Sequence, residues 1–569
     1  MADDTETPML VNAVDGAVDY RGRPASRSDS GGWRSAALII GVEFAERFAF
    51  TGVWTNMVNY LTGPLGMSTA AAAVNVNAWS GAAALLPLLG AFVGDSFLGR
   101  YRSIVISSVF YIFGLALLTL SAILPSLIGS DCQISITNNM MPCHPPQLQF
   151  ILFFFSIYIV AAAQGGHKPC TQSFGADQFD SHDPKERESK SSFFNWWYFG
   201  ICSGSLATVL ILTYIQDNLS WALGFGIPCI AMVISLVAFL LGTSTYRYGI
   251  AQTERDPFVR IGRVFVAAFR NWQRTPSSVA AEVESHEFLT DEGSEHFKFL
   301  NKALLAPNHL REEDYACGIT EVEEAKAVLR LVPIWGTCLI YAVVFAQSLT
   351  FFTKQAATMD RTVVSSFRIP AASLNLFTNL TVLAFIPIYD RVFVPIARAF
   401  TRKPAGITML QRIGTGIFLS TLSMVVAALV EMKRLKIVQE YDLVDKPSVT
   451  VPMSVWWLVP QYVIFGLDRG LTMVGMQEFF YDQVPPELRS VGVSLYLSIM
   501  GVGSYLSSIL ISAIEKATSG DGRDSWFSNN LNRAHLDYFY LLLSGLSLVG
   551  FAGYLHFTRS YIYYRRGTI

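Results

Sequence analysis

Twelve runs of predominantly apolar residues, six on each side of a polar interval, limit this chain to very few architectures. They lie near residues 36–61, 72–94, 103–126, 148–170, 194–215 and 221–243, then 329–352, 372–388, 412–431, 454–480, 491–514 and 536–557. A helix needs ~20 mostly apolar residues to cross a bilayer, whereas a barrel strand needs only ~9–11. Runs of this length therefore predict helices, and the chain reads as an all-α polytopic membrane protein with twelve transmembrane helices in two six-helix bundles. The eighth run is short and begins at Ile369-Pro370, so its start is the least defined boundary. Composition agrees, because 569 residues that are 51% hydrophobic and only 15% charged are too apolar for a soluble protein. A net charge of −2 offers no basic field, so the expected surroundings are a lipid bilayer and no nucleic acid.

Between the bundles, residues 244–327 alternate basic and acidic side chains and read as a cytosolic linker with amphipathic helices over Val259 to Trp272 and Glu295 to Leu305. The bundles then occupy 34–243 and 328–558, with tails at 1–33 and 559–569. The first tail is polar, lacks the apolar core of a secretory signal, and is expected to be disordered. Orientation follows from the bias of Lys and Arg toward cytosolic loops. The loops after the first, third and fifth runs have neither residue, while those after the second and fourth hold Arg100, Arg102, Lys185, Arg187 and Lys190. Both termini are therefore expected in the cytosol. Lys433, Arg434, Lys436 and Lys446 run against this, since the same topology puts their loop outside.

The first run carries the strongest functional signal. Glu43, Glu46 and Arg47 lie inside it, where a charge costs ~2.5–3.5 kcal/mol on insertion scales. Their i, i+3, i+4 spacing gives them one helix face, which must look into the protein or a wet cavity. A second cation, Lys168, stands in the fourth run within Gln164-Gly-Gly-His167-Lys168-Pro169, where Gly165 and Gly166 allow close helix approach. A Lys–Glu pair across a cavity is broken by protonating the carboxylate, so proton binding can bias which side opens. Of seven cysteines, Cys132 and Cys143 share one loop on the non-cytosolic side and could pair. No nucleotide-binding, hydrolase or zinc-protease motif is present, so an enzyme and a metal site are not expected.

Several longer motifs carry a family likeness. Glu43-x-x-Glu46-Arg47, Gly94-Asp95-Ser-Phe-Leu-Gly99-Arg100-Tyr101-Arg102 and Phe174-Gly175-Ala176-Asp177-Gln178-Phe179-Asp180 closely resemble the proton-dependent oligopeptide transporter family. Val328-Leu329-Arg330-Leu331-Val332-Pro333-Ile334-Trp335 and Leu536-Asp537-Tyr538-Phe539-Tyr540 look like its plant nitrate and peptide transporter branch. The resemblance implies a major facilitator fold, alternating access around a central cavity, and proton-driven symport of a small-molecule substrate. It assigns proton coupling to Glu43, Glu46, Arg47 and Lys168, with protons as the coupling ion and no cofactor. Asp95, Arg100 and Arg102, with the echo Asp390 and Arg391, are expected to latch the cytosolic face. Ser103 lies where some relatives carry a phosphorylatable threonine, which would make a regulatory kinase a partner. Nothing in the residues bears on the oligomeric state.

The cargo is narrowed by departures from that pattern. Phe345 replaces a histidine of a well-studied type of nitrate carrier, and Arg469 stands where peptide carriers have an acid, with Asp468 preceding it. Counting back from Gly475 puts Arg469 toward the cavity, and an alternative has Asp468 neutralising it. Nitrate or a small organic anion, such as a hormone carboxylate, therefore ranks above di- and tripeptides. A sensor that binds solute and signals through residues 244–327 is the rival of another class. The membrane is either the plasma membrane or the vacuolar membrane.

Overall fold

The computed structural model describes residues 13–127, 147–180, 183–249, 257–272, 297–304, 317–364, 367–401, 407–485, 488–519 and 524–561. The first bundle comprises Gly32–Trp54 with Met57–Thr62 (span one), Thr69–Val93 (two), Arg100–Leu127 (three), Gln147–Ala176 (four), Pro184–Ala207 continued to Asn218 (five) and Trp221–Leu241 (six). The second comprises Ile319–Phe345 continued through Phe351–Thr358 (span seven), Ala371–Leu374 continued through Asn375–Ile388 to Thr401 (eight), Met409–Glu440 (nine), Val459–Asp482 (ten), Arg489–Thr518 (eleven) and Leu536–Arg559 (twelve).

Ten of these spans are long and apolar enough to cross a membrane by length and composition alone. The two that fall short, spans one and ten, carry Glu43, Glu46 and Arg47 in one and Asp468 and Arg469 in the other. Lipid offers no hydrophobic drive between helices, so close backbone approach supplies the packing. Gly90 lies so near span four that a Cβ would sit 2.1 Å from the Gly165 carbonyl oxygen, and one at Gly166 would meet Ser107 Oγ at 2.3 Å.

The bundles meet through span two on span eleven, the end of span one on the end of span seven, and span five on span eight. The hydrogen bonds at this seam lie toward the face opposite the described termini. Asn77 Nδ2 donates to Ser507 Oγ at 3.0 Å, Ser508 Oγ to the Val74 carbonyl at 3.0 Å, and Lys354 Nζ to Thr62 Oγ1 at 2.8 Å. That face is closed in this conformation.

Three parts of the chain differ from the sequence reading. The N-terminal tail is folded from Ala13 onward: β1 (Ala13–Val18) pairs antiparallel with β2 (Pro24–Ser26) and β3 (Tyr248–Gly249). Its anchors are polar, which is why hydropathy misses them. Asp19 accepts from the N–H groups of Arg21 and Arg23, Arg27 pairs with Asp180 at 2.6 Å, and buried Arg247 donates to Ser30 and Gln178 carbonyls and to Glu186. In the linker, Pro257–Arg270 is the expected amphipathic helix, but Lys298–Leu304 is a short 3-10 segment, and span seven begins at Ile319, inside the expected linker. Span nine runs unbroken to Glu440, so Lys433, Arg434 and Lys436 are helical and not in a loop. Arg434 is fully buried on Glu431 at 2.6 Å, which removes it from the charge bias of the loops.

Candidate functional site

Span one places its ionisable face into the first bundle. Arg47 Nε lies 2.6 Å from Glu46 Oε2 and 3.3 Å from Glu43 Oε1, and both carboxylates are fully buried. Tyr111, from span three, donates its hydroxyl to Glu46 Oε1 at 3.5 Å, while the Arg47 guanidinium lies over the Phe50 ring at 5.3 Å. Glu46 is thus held from two sides. Both oxygens of Glu43 lack a hydrogen bond among the described residues, as does Nε2 of buried His167. Lys168 is within electrostatic range of Glu43, Glu46 and Arg47 but forms no ion pair within 4.0 Å among the described residues. The structure therefore joins Glu43, Glu46 and Arg47 directly and keeps Lys168 as a nearby, unbridged charge.

Successive residues of span ten point about 100° apart, and the structure separates Asp468 from Arg469 accordingly. Asp468 is fully buried and accepts from the Tyr341 hydroxyl at 2.9 Å inside the second bundle. Arg469 instead lines a cavity of about 70 Å³ between the bundles, together with Thr51, Trp54, Ser205, Phe345 and Asn379. Its guanidinium donates to Asn379 Oδ1 at a long 3.5 Å and lies 5.6 Å from the Phe345 ring centroid. Asp468 and Arg469 form no ion pair within 4.0 Å among the described residues, while Tyr341 bonds one oxygen of the carboxylate. Tyr341, Asn379 and Tyr111 escaped the sequence reading, since uncharged polar residues in apolar runs give no periodic signal. The one available clue was Tyr341, one helical turn before Phe345 and on its face.

At the terminal-bearing face, Arg100 of the expected latch is met from the end of span four. Arg100 Nη1 pairs with Asp177 Oδ2 at 2.5 Å. The side chains of Asp95 and Asp390 lie outside the described residues, as do Cys132 and Cys143, and Arg102 and Arg391 are exposed. In the second bundle Arg412 lies 3.7 Å from Glu478 and 4.5 Å from the Tyr389 ring centroid. Both motif segments, Gly94–Leu98 and Tyr389–Phe393, form a single π-helical turn at corresponding places in the two halves, as duplicated halves require. Ser103 is only 4% exposed and packs against Gly94, so its hydroxyl is out of a kinase's reach in this conformation.

Two bundles of six helices around an inter-bundle cavity, with paired charges on the inner faces, define a membrane transporter of the major facilitator type. The chain belongs to the POT family, whose profile (PTR2) matches residues 101–527. It is 62% identical over 566 residues to "Protein NRT1/ PTR FAMILY 5.10" of Arabidopsis thaliana, covering 100% of this chain and 99% of that protein. It is 55% identical to "Protein NRT1/ PTR FAMILY 5.13" of the same plant, covering 99% of each. Among solved structures, an auto-inhibited POT family peptide transporter superposes with a TM-score of 0.71 at 20% identity, covering 94% of this chain and 99% of that one. The transporter PepTSo superposes with 0.68 at 20% identity, covering 93% and 98%. The family consists of transporters, so the chain is not an enzyme.

Proposed function

We propose that the chain is a proton-coupled symporter of a small organic anion, working by alternating access. The observation that carries this reading is the division of span ten: Arg469 faces the inter-bundle cavity while Asp468 is turned onto Tyr341. A planar guanidinium suits bidentate capture of a carboxylate, and Phe345 beside it packs an apolar body better than bare nitrate. Related solved transporters were crystallised with sulfate and with 5-aminolevulinic acid, both of which carry oxyanion groups. The cavity of about 70 Å³ is far below the ~300–1,000 Å³ of a typical ligand pocket. Loading the site therefore requires the bundles to part, which is what alternating access does.

Glu43 is the group suited to bind and release the coupling proton, because among the described residues its oxygens accept no hydrogen bond and meet only the Arg47 charge at 3.3 Å, while Glu46 is held by Arg47 and Tyr111. A proton gained there changes the charge facing Lys168 and so the balance between conformations. The termini and the linker are assigned to the cytosol, and the bilayer to the plasma or vacuolar membrane. Proteoliposomes with an imposed pH gradient and a panel of carboxylates, nitrate and dipeptides test the reading. Proton-driven accumulation of a carboxylate is expected, and Glu43→Gln should abolish it while the protein stays in the membrane. Binding without accumulation would favour a sensor acting through residues 244–327, and accumulation of dipeptides alone would overturn the anion assignment.

A further inference from the structure

A chamber of about 190 Å³ opens at the closed seam, between the last turn of span seven, residues 447–450 and residues 529–532. Its lining is largely polar, with Lys354, Thr358, Ser448, Thr450 and Asn529 among its residues, and Lys354 is the only charged one among the described residues. An ammonium has three donors, and Lys354 directs one to Thr62 Oγ1 at 2.8 Å. Among the described residues it forms no ion pair within 4.0 Å. The acids of this region are engaged elsewhere. Arg533 takes Asp445 and Asp524, Arg434 takes Glu431, the Asn56 amide takes Asp217, and the Thr362 N–H takes Asp360. A cation drawn from water without a counter-charge is costly, and the chamber has room for several waters or one small anion.

The same residues hold the seam shut. Lys354 bonds Thr62 across the bundles, and Asn529, a chamber wall, accepts from the Thr69 N–H at 3.0 Å. With its oxygen so engaged, the amide of Asn529, an exposed residue, keeps both N–H donors for water or a ligand, with no protein partner among the described residues. An anion entering the chamber would therefore meet an ammonium and an amide that also carry the contacts between the bundles. We propose that this chamber is an oxyanion site for a carboxylate or nitrate-sized anion, and that its occupancy draws Lys354 from Thr62 and loosens the seam. The site is separate from the Arg469 cavity and acts on the gate whatever the cargo.

Hydrogen–deuterium exchange on the full chain in lipid nanodiscs tests this, with sodium acetate or sodium nitrate titrated against sodium fluoride at equal ionic strength. Exchange in residues 60–70 and 526–534 should rise with acetate or nitrate by up to about tenfold, the scale of one lost hydrogen bond. Lys354→Gln should abolish the response and Lys354→Arg should keep it. Thr62→Val should raise exchange before any anion is added and lower the half-saturating concentration, so the idea stays testable even where Lys354→Gln fails to fold. Arg469→Ala should leave the response intact. A response that survives Lys354→Gln, one that disappears in Arg469→Ala, or no response in the unmodified chain would each overturn the proposal.

Discussion

Replacing Arg469 by alanine isolates the element that decides the sign of the cavity. Among the described residues its guanidinium makes one hydrogen bond, at the 3.5 Å limit, to Asn379, and stacks near Phe345 at 5.6 Å. Most of its five N–H donors are therefore available to a ligand. Hydrogen bonds to a charged group contribute ~1.5–3 kcal/mol, and each 1.4 kcal/mol is a factor of ten. Arg469→Ala should thus raise the half-saturating concentration of a carboxylate substrate by roughly 10- to 150-fold. Arg469→Lys, which keeps the charge and loses the fork, should fall between the two. Asp468 keeps its Tyr341 hydrogen bond in either variant, so thermal unfolding should not move. The assay is initial-rate uptake into proteoliposomes over a concentration series, with a melting curve on the same preparation. A normally melting Arg469→Ala protein with unchanged carboxylate half-saturation would refute the assignment of this side chain to the ligand.

Arg434→Met should destabilise the second bundle by ~3–5 kcal/mol, because it strands a fully buried Glu431 with only Gln355 as a donor among the described residues; a pairing of this variant with Glu431→Gln should recover most of the lost melting temperature. Tyr341→Phe removes the donor from buried Asp468 and should cost ~1–3 kcal/mol in unfolding measurements. The Arg23 N–H, with further help from Arg21, holds the Asp19 carboxyl below its ordinary value of ~3.9. Its contribution to the N-terminal hairpin is therefore present above that value and fades only as pH falls through the lowered one. Amide exchange in residues 13–26 should accordingly be steady from pH 7 to about pH 4 and rise below it, after correction for intrinsic exchange.

The positions of the twelve spans were readable because hydropathy reports the solvent around a helix, and lipid demands the same answer of each one. The ionisable face of span one was readable for the same reason: three charges in an apolar run have one place to go. Orientation at Asp468 and Arg469 was harder, since neighbours 100° apart are separated only by what packs beside them, and Tyr341 lies 127 residues away in sequence. Contacts between distant segments were hidden as well: Arg100 is met by Asp177, across 77 residues. Polar anchors such as Arg247 and Gln178 order the N-terminal strands without any apolar pattern to betray them.

The charges buried in span one also set an order of events while the chain is being made. This helix leaves the ribosome before the spans that pack around it, and in lipid its carboxylates would each cost ~2.5–3.5 kcal/mol if left alone. Arg47 accompanies Glu43 and Glu46 on the same helix face, so the segment emerges with one of its two negative charges already matched. Tyr111, which completes the shell around Glu46, follows 65 residues later. At ~5–20 residues per second that is a delay of roughly 3–13 s. Until span three arrives, Glu46 relies on Arg47 alone, and the Tyr111 hydroxyl then adds a second hold on it from outside the helix.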